Sequence, residues 1–189
     1  TDMAFVRAIP NMTVVSVSDA VQTEKAVFAL AEYDGPVYLR LSRAAAPVIY
    51  DETLNFEIGK GIVLKYGKDV TIIATGTVLH KAIAAAEVLE AEGISATVVD
   101  MHTVKPIDTN LILNCANMTG AIVTVEEHSI YGGLGSAVAE VLAAECPTPM
   151  EFVGATEFAE SGDYNELLDK YGYSAKNIAE KCKKVIGRK

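Results

Sequence analysis

From about Glu57 to the C-terminus, short β-branched runs alternate with stretches of helical periodicity, which limits this part of the chain to an α/β fold. Ile62–Lys65, Val70–Ala74, Ala96–Val99 and Ala121–Val125 read as strands, with Phe152 and Val153 in a last short one. Between them, Leu79, Ala82, Ile83, Ala86 and Leu89 share one helical face, and Gly93 ends that helix. Asp108 caps a short helix containing Leu111 and Ile112. Ser136 starts another through Val138, Val141 and Leu142, which Pro147 and Pro149 close. Asp163 with Glu166 makes a capping box, and Ser174 caps a final helix with Ile178, Cys182 and Val185 inward. Alternation of this kind implies right-handed crossovers with helices on both faces of the sheet. The expectation for residues 57–189 is therefore a three-layer α/β/α domain with a mixed sheet of about five strands. The four-residue link Tyr66–Asp69 predicts a tight turn, pairing Ile62–Lys65 antiparallel with Val70–Ala74.

Residues 1–45 read differently, as helix, strand, helix and strand. Val14, Val15 and Val17 form a strand, Ser18 or Asp19 caps a helix to about Tyr33, and Val37–Leu41 follows the Asp34-Gly35-Pro36 stop. Two strands and two helices bury too little to stand alone. The segment reads as the end of a larger α/β domain, and the Thr1 start as the result of processing or truncation. Residues 46–56 lack periodicity and carry Pro47 and the pair Asp51-Glu52, as an interdomain linker would.

Charge narrows the partners. Asp and Glu outnumber Lys and Arg by 25 to 16, a net charge of −9, whereas a nucleic-acid surface needs a basic stripe. The same field repels phosphorylated metabolites, so a site for them requires a local cation. No apolar run approaches the roughly 18 residues of a membrane helix, and no signal peptide opens the chain. Cys115, Cys146 and Cys182 have no CxxC spacing and fit reduced thiols packed in helices of a cytoplasmic protein.

Few residues stand out chemically. Arg43 follows a strand at its C-terminal end, where open α/β sheets bind ligands and a guanidinium can grip a phosphate. It could equally pair with an acid at the domain junction. Gly132, Gly133 and Gly135 precede Ser136 between strand and helix, a loop that can aim backbone amides at an anion or effector. Tight turning alone explains glycines as well. Glu126, Glu127 and His128 could do acid–base work or could simply cap and solvate a strand end. His80 and His102 have no companions at metal-site spacing, so no metal is expected.

Several stretches resemble the transketolase family. Arg7-Ala8-Ile9-Pro10-Asn11-Met12 with Asp19-Ala20 is similar to the late pyrimidine-binding domain of transketolases and 1-deoxyxylulose-5-phosphate synthases. Gly35 to Arg43 resembles the strand and arginine that close that domain. Asp69–Gly76, Val99–Asp108 and Val123–His128, with the glycine loop and Ala137–Glu140, resemble signatures of the C-terminal domain. The ending Phe158–Gly162, Glu166-Leu167-Leu168 and Tyr171-Gly172 looks most like short transketolases, whose C-terminal half is often a separate polypeptide. Alanine at 159 stands where the family usually has glycine.

The resemblance implies the tail of a pyrimidine-binding domain followed by a transketolase C-terminal domain whose first strand is antiparallel to the rest. It implies a dimeric enzyme that moves a two-carbon ketol unit between sugar phosphates with thiamine diphosphate and Mg²⁺, the cofactor supplying the hard chemistry. The cofactor-holding parts belong to a missing N-terminal half or subunit, so this chain alone would bind no cofactor and be inactive. Of the family's active-site residues only one matches here, Arg43, which grips the substrate phosphate. A 1-deoxyxylulose-5-phosphate synthase or a 2-oxoacid dehydrogenase beta subunit would share much of this pattern. A non-catalytic dimerisation or effector-binding module, using the glycine loop, is the reading from another class.

Overall fold

A computed structural model describes residues 1–189. The first 40 residues form α1 (Asp2–Arg7), β1 (Thr13–Ser16), α2 (Ala20–Ala31) and β2 (Val37–Arg40), the succession expected. Asp19 caps α2 by accepting the Gln22 N–H at 2.7 Å. Then come β3 (Ile62–Lys65), β4 (Val70–Thr75), a 3₁₀ turn (Gly76–Val78), α3 (Leu79–Ala91), β5 (Ala96–Asp100) and β6 (Thr103–Lys105). The chain ends with α4 (Thr109–Thr119), β7 (Ile122–Ser129), α5 (Leu134–Glu145), β8 (Met150–Ala155), α6 (Tyr164–Lys170) and α7 (Ala175–Ile186). Asp108, Asp163 and Ser174 cap their helices through the side chain as expected. Several bounds differ, most of them by a residue or two, and β8 runs for six residues where two were expected. Helix α5 starts at Leu134, two residues before Ser136; α4 runs for 11 residues; and β7 continues past Val125 through Glu126, Glu127 and His128.

Five strands make the main sheet in the order β3-β5-β4-β7-β8. All are parallel except β3, which runs antiparallel to β5. Successive residues of β4 face opposite sides, and both sides are buried. Ile72 packs with Leu79, Ala82 and Leu89 of α3 and Ile178 and Cys182 of α7. Ile73 packs with Ile112 and Cys115 of α4 and Leu134 and Val138 of α5. The result is the three-layer domain the alternation demands.

The expected β3–β4 hairpin does not form. Strand β3 has the right direction but hydrogen-bonds to β5, and the link Tyr66–Asp69 crosses the start of β5 to reach β4. Two strand spacings are about 10 Å, and four extended residues reach about 13 Å, so a short link does not require adjacency. Gly67 makes the crossing possible. Its N–H donates to Thr97 Oγ1 at 2.8 Å and its carbonyl accepts from the same hydroxyl at 2.7 Å. A Cβ here would lie 2.6 Å from the Ala96 backbone nitrogen. Gly67→Ala should therefore cost roughly 1–3 kcal/mol in urea unfolding; an unchanged midpoint would show that the link has room to move.

A second, three-stranded sheet has the order β2-β1-β6. Strands β1 and β2 are parallel, in register from Thr13↔Val37 to Ser16↔Arg40. The other edge of β1 is taken, antiparallel, by β6 from the second half of the chain. Three residues are too short for any periodic signal, so β6 was not expected. Its effect is large, because residues 103–105 complete the sheet that the first 45 residues begin.

Candidate functional site

Within the main sheet the chain leaves β4 toward β5 on one side, and β7 enters on the other side of β4. This is a topological switch point, and crevices form beyond the C-terminal ends of the two strands that flank it. Thr75 to Thr77 end β4 there, and Glu126 to His128 end β7. The parallel pair β1 and β2 points its C-terminal ends at the same place. Ser16 accepts from Thr75 Oγ1 through its carbonyl at 3.4 Å, and Gly76 sits so close that a Cβ would lie 2.8 Å from Ser16 Oγ. Residues 41–46 border this space. Two adjoining clefts result, one of about 390 Å³ including Ser18, Asp19, Ser42 and Thr77, and one of about 460 Å³. Ser42, Arg43, Ala44, Glu127, Gly162 and Tyr164 line the second.

The two arginines near this cleft have different fates. Arg40 is spent on structure: Nε donates to Asp2 Oδ2 at 2.8 Å, and Nη2 to the Glu127 carbonyl at 3.0 Å. Tyr38 also donates to Asp2, at 2.9 Å. Burial opposes ionisation of Asp2, yet the Arg40 charge and these hydrogen bonds bring its pKa down to about 2. Arg43, three residues on, is exposed in the cleft and no protein acceptor pairs with it. Its guanidinium is free for a ligand.

Glu126 and Glu127 point to opposite sides, as neighbours in a strand must. Glu127 faces the cleft, where Oε2 accepts from Tyr164 Oη at 2.8 Å and Thr77 Oγ1 at 3.0 Å. Burial pushes the Tyr164 phenol up to about 12, so it stays a donor at neutral pH. Glu126 turns inward, 1% exposed, and its carboxylate accepts the Leu134 N–H at 2.7 Å and the Gly135 N–H at 2.8 Å. The glycine loop does present amides to an anion, and that anion is Glu126 of the same chain. The helix α5 N-terminus adds to the attraction. Gly133 is obligatory, since a Cβ there would run into the Glu126 carboxylate and lie 2.7 Å from His128 Nδ1. Gly132 donates to Ser136 Oγ at 2.8 Å, and its carbonyl accepts from Arg7 Nε at 2.8 Å. Gly132, Gly133, Gly135 and Ser136 thus join helix α1 to the main domain. His128 completes the joint, with Nδ1 donating to the Ser129 carbonyl at 2.7 Å and Nε2 accepting from the Ala4 N–H at 3.4 Å.

A buried polar cluster that sequence reasoning missed ties residues 46–56 to both sheets. Asp19 Oδ2 accepts from the amides of Ile49 at 2.7 Å and Tyr50 at 2.9 Å. Asp100 Oδ2, at the end of β5, accepts from Gln22 Nε2 at 2.6 Å and Tyr50 Oη at 2.7 Å. Asp100 Oδ1 has no partner, and burial pushes this carboxyl up to about 7. Nearby, His102 stacks on Phe56 with ring centroids 4.2 Å apart, and burial brings it down to about 4. Asp100 carried no signal beyond being an acid at a strand end. His80 is half-buried, its Nδ1 2.6 Å from the Thr77 carbonyl. The three cysteines are free thiols, Cys115 and Cys182 buried.

A mixed-sheet α/β domain, joined to a parallel β-α-β piece at a shared C-terminal edge, defines a class. Residues 59–178 match the family model described as the transketolase C-terminal domain, and residues 1–48 match that of the transketolase pyrimidine binding domain. The chain belongs to the transketolase family. It is 44% identical, over its whole length, to a 6-deoxy-6-sulfo-D-fructose transketolase subunit of Clostridium sp. (strain MSTE9), of which it spans 59%. It is 45% identical, over 95% of its length, to a putative transketolase C-terminal section of Methanocaldococcus jannaschii, of which it spans 57%. Among solved structures, a "Split gene transketolase, inactive beta4 tetramer" superposes with a TM-score of 0.96 at 48% identity. That match covers 98% of this chain and 61% of the other. The chain thus spans about three-fifths of the length of these relatives. No helix is long and apolar enough to cross a membrane.

Proposed function

We propose that this chain supplies the C-terminal part of a split transketolase and holds the phosphate end of the sugar substrate. The observation that carries the reading is Arg43, a guanidinium without a protein partner in a cleft where two sheets direct their C-terminal ends. In the assembled enzyme, thiamine diphosphate supplies the chemistry that moves a two-carbon ketol unit between sugar phosphates. No group of three or more His, Cys, Asp or Glu side chains is arranged to hold a metal ion. On this reading the cofactor's Mg²⁺-diphosphate end falls to an N-terminal partner polypeptide. What this chain does is bind and orient: Arg43 grips the phosphate, and residues 42–44 with Glu127 and Tyr164 wall the cleft.

The relatives named as a subunit and as a C-terminal section are themselves longer than this chain, so the N-terminal partner polypeptide is proposed in addition to the length that this chain does not span. The solved neighbour, an inactive beta4 tetramer, is what a chain that associates with itself but needs its partner would give. Apolar surface at Phe5, Val27 and Phe28 gives such partners something to cover. The proposed compartment is the cytoplasm, where the three thiols stay reduced. The test is reconstitution. This chain alone should bind no thiamine diphosphate in calorimetry and turn over no ketose phosphate, whereas the whole C-terminal polypeptide mixed with its N-terminal partner should produce ketol transfer. Stoichiometric cofactor binding by the isolated chain would refute the assignment.

A further inference from the structure

We infer that Glu127 is a specificity-determining residue of the Arg43 cleft, accepting a hydrogen bond from a hydroxyl one carbon away from the phosphate-bearing carbon of the acceptor sugar. The inference rests on the proposed role of Arg43. Its independent support is how the carboxylate is held. Tyr164 and Thr77 both donate to Oε2, and Arg40 fixes the Glu127 carbonyl behind it, so the side chain is aimed from three elements at once. These contacts leave Oε1 without a donor from the protein, although Glu127 lines the same cleft as Arg43. A free ion pair between the two would have closed the cleft, and none forms.

An acceptor-only carboxylate oxygen in the same cleft as a donor-only guanidinium selects by chemistry. A ligand that satisfies both ends must carry an anion at one and a hydroxyl proton at the other. A sugar phosphate with a hydroxyl beside its phosphate-bearing carbon does so. An anion without that hydroxyl engages Arg43 but leaves Glu127 desolvated and unpaired, which penalises it. The cleft, at about 460 Å³, has room for such a terminus together with water. Glu127 acts on binding here, so its effect belongs in KM.

The experiment uses the assembled enzyme with two acceptors, erythrose 4-phosphate and its 3-deoxy analogue. The wild-type enzyme should favour the hydroxylated acceptor by about tenfold or more in kcat/KM, the size expected of a hydrogen bond to a charged group. In Glu127→Gln the amide oxygen keeps the two hydroxyl donors and an NH₂ replaces Oε1. The preference should then fall to about twofold or less, through a higher KM for the hydroxylated acceptor and a KM for the deoxy one that is unchanged or lower. Tyr164→Phe removes one of the two donors that aim the carboxylate and should lose part of the preference, as a higher KM for the hydroxylated acceptor. A preference kept in both variants, while Arg43→Ala impairs phosphorylated acceptors, overturns the role of Glu127 alone. If Arg43→Ala also leaves phosphorylated acceptors untouched, the cleft does not hold the phosphate and both readings fall.

Discussion

Replacing Arg43 with alanine in the assembled enzyme should weaken the use of phosphorylated acceptors by about 10- to 150-fold, the range for losing a charge-assisted hydrogen bond of roughly 1.5–3 kcal/mol. The guanidinium has no structural task, since Arg40 makes the contacts to Asp2 and Glu127 that hold this edge together. Stability should therefore stay unchanged, and the loss should be one of binding. A grip equal in ground and transition states raises KM and leaves kcat alone. Arg43→Lys should recover only part, because an ammonium cannot reproduce a bidentate fork. Thiamine diphosphate affinity should not move. A non-phosphorylated acceptor aldehyde is the control, and an equal loss with it would show that Arg43 never touches substrate.

The second large effect is on stability against pH. The Asp100 carboxyl, pushed up to about 7 by burial, binds a proton in the folded chain that the unfolded chain releases near pH 4. Its contribution to stability is complete below pH 4 and is lost as pH rises through 7. His102 behaves the other way. Burial brings it down to about 4, so its contribution is complete above about 6.5, the unfolded value, and is lost as pH falls toward 4. Between about 4 and 6.5 the two oppose each other, and each acts by at most about 1.4 kcal/mol per pH unit. The groups that face Asp100 are Gln22, Tyr50 and Asp19, and those that face His102 are Phe56 and Thr103. Asp100→Asn should therefore lose stability relative to the wild-type chain as the pH is lowered from 7 to 5. His102→Phe, which keeps a ring against Phe56, should gain relative stability over the same interval. Urea unfolding at several pH values checks both, and curves parallel to wild type would place the titrating protons elsewhere.

Much of this architecture was legible because its signals are local. A strand buried on both faces needs an unbroken β-branched run, so Val70–Ala74 and Ala121–Val125 announced themselves. A helix start needs a side-chain oxygen for its free amides, so Asp19, Asp108, Asp163 and Ser174 marked four of them. The direction of the first strand was legible too, but not its neighbour. Direction follows from a short link, whereas adjacency depends on which strand pairs with β5, a contact spanning more than 30 residues. The glycine loop was legible as a place where amides meet an anion, yet nothing local said that the anion would be Glu126.

What the sequence by itself determined is therefore the α/β class, the three layers, most helix starts, the family and Arg43 as the residue to watch. Each depends on residues close together in the chain or on a motif. Only the tertiary structure decided that Arg40 is consumed while Arg43 stays free, that Glu126 turns inward while Glu127 faces the cleft, and that residues 103–105 finish the sheet begun by the first 45. It also decided that Asp100, Gln22 and Tyr50 lock residues 46–56 between the sheets. The physical reason is common to these. A side chain's role is set by which donors and acceptors reach it, and here some of those come from residues 87 positions away and more, brought together only when both sheets end at the same place.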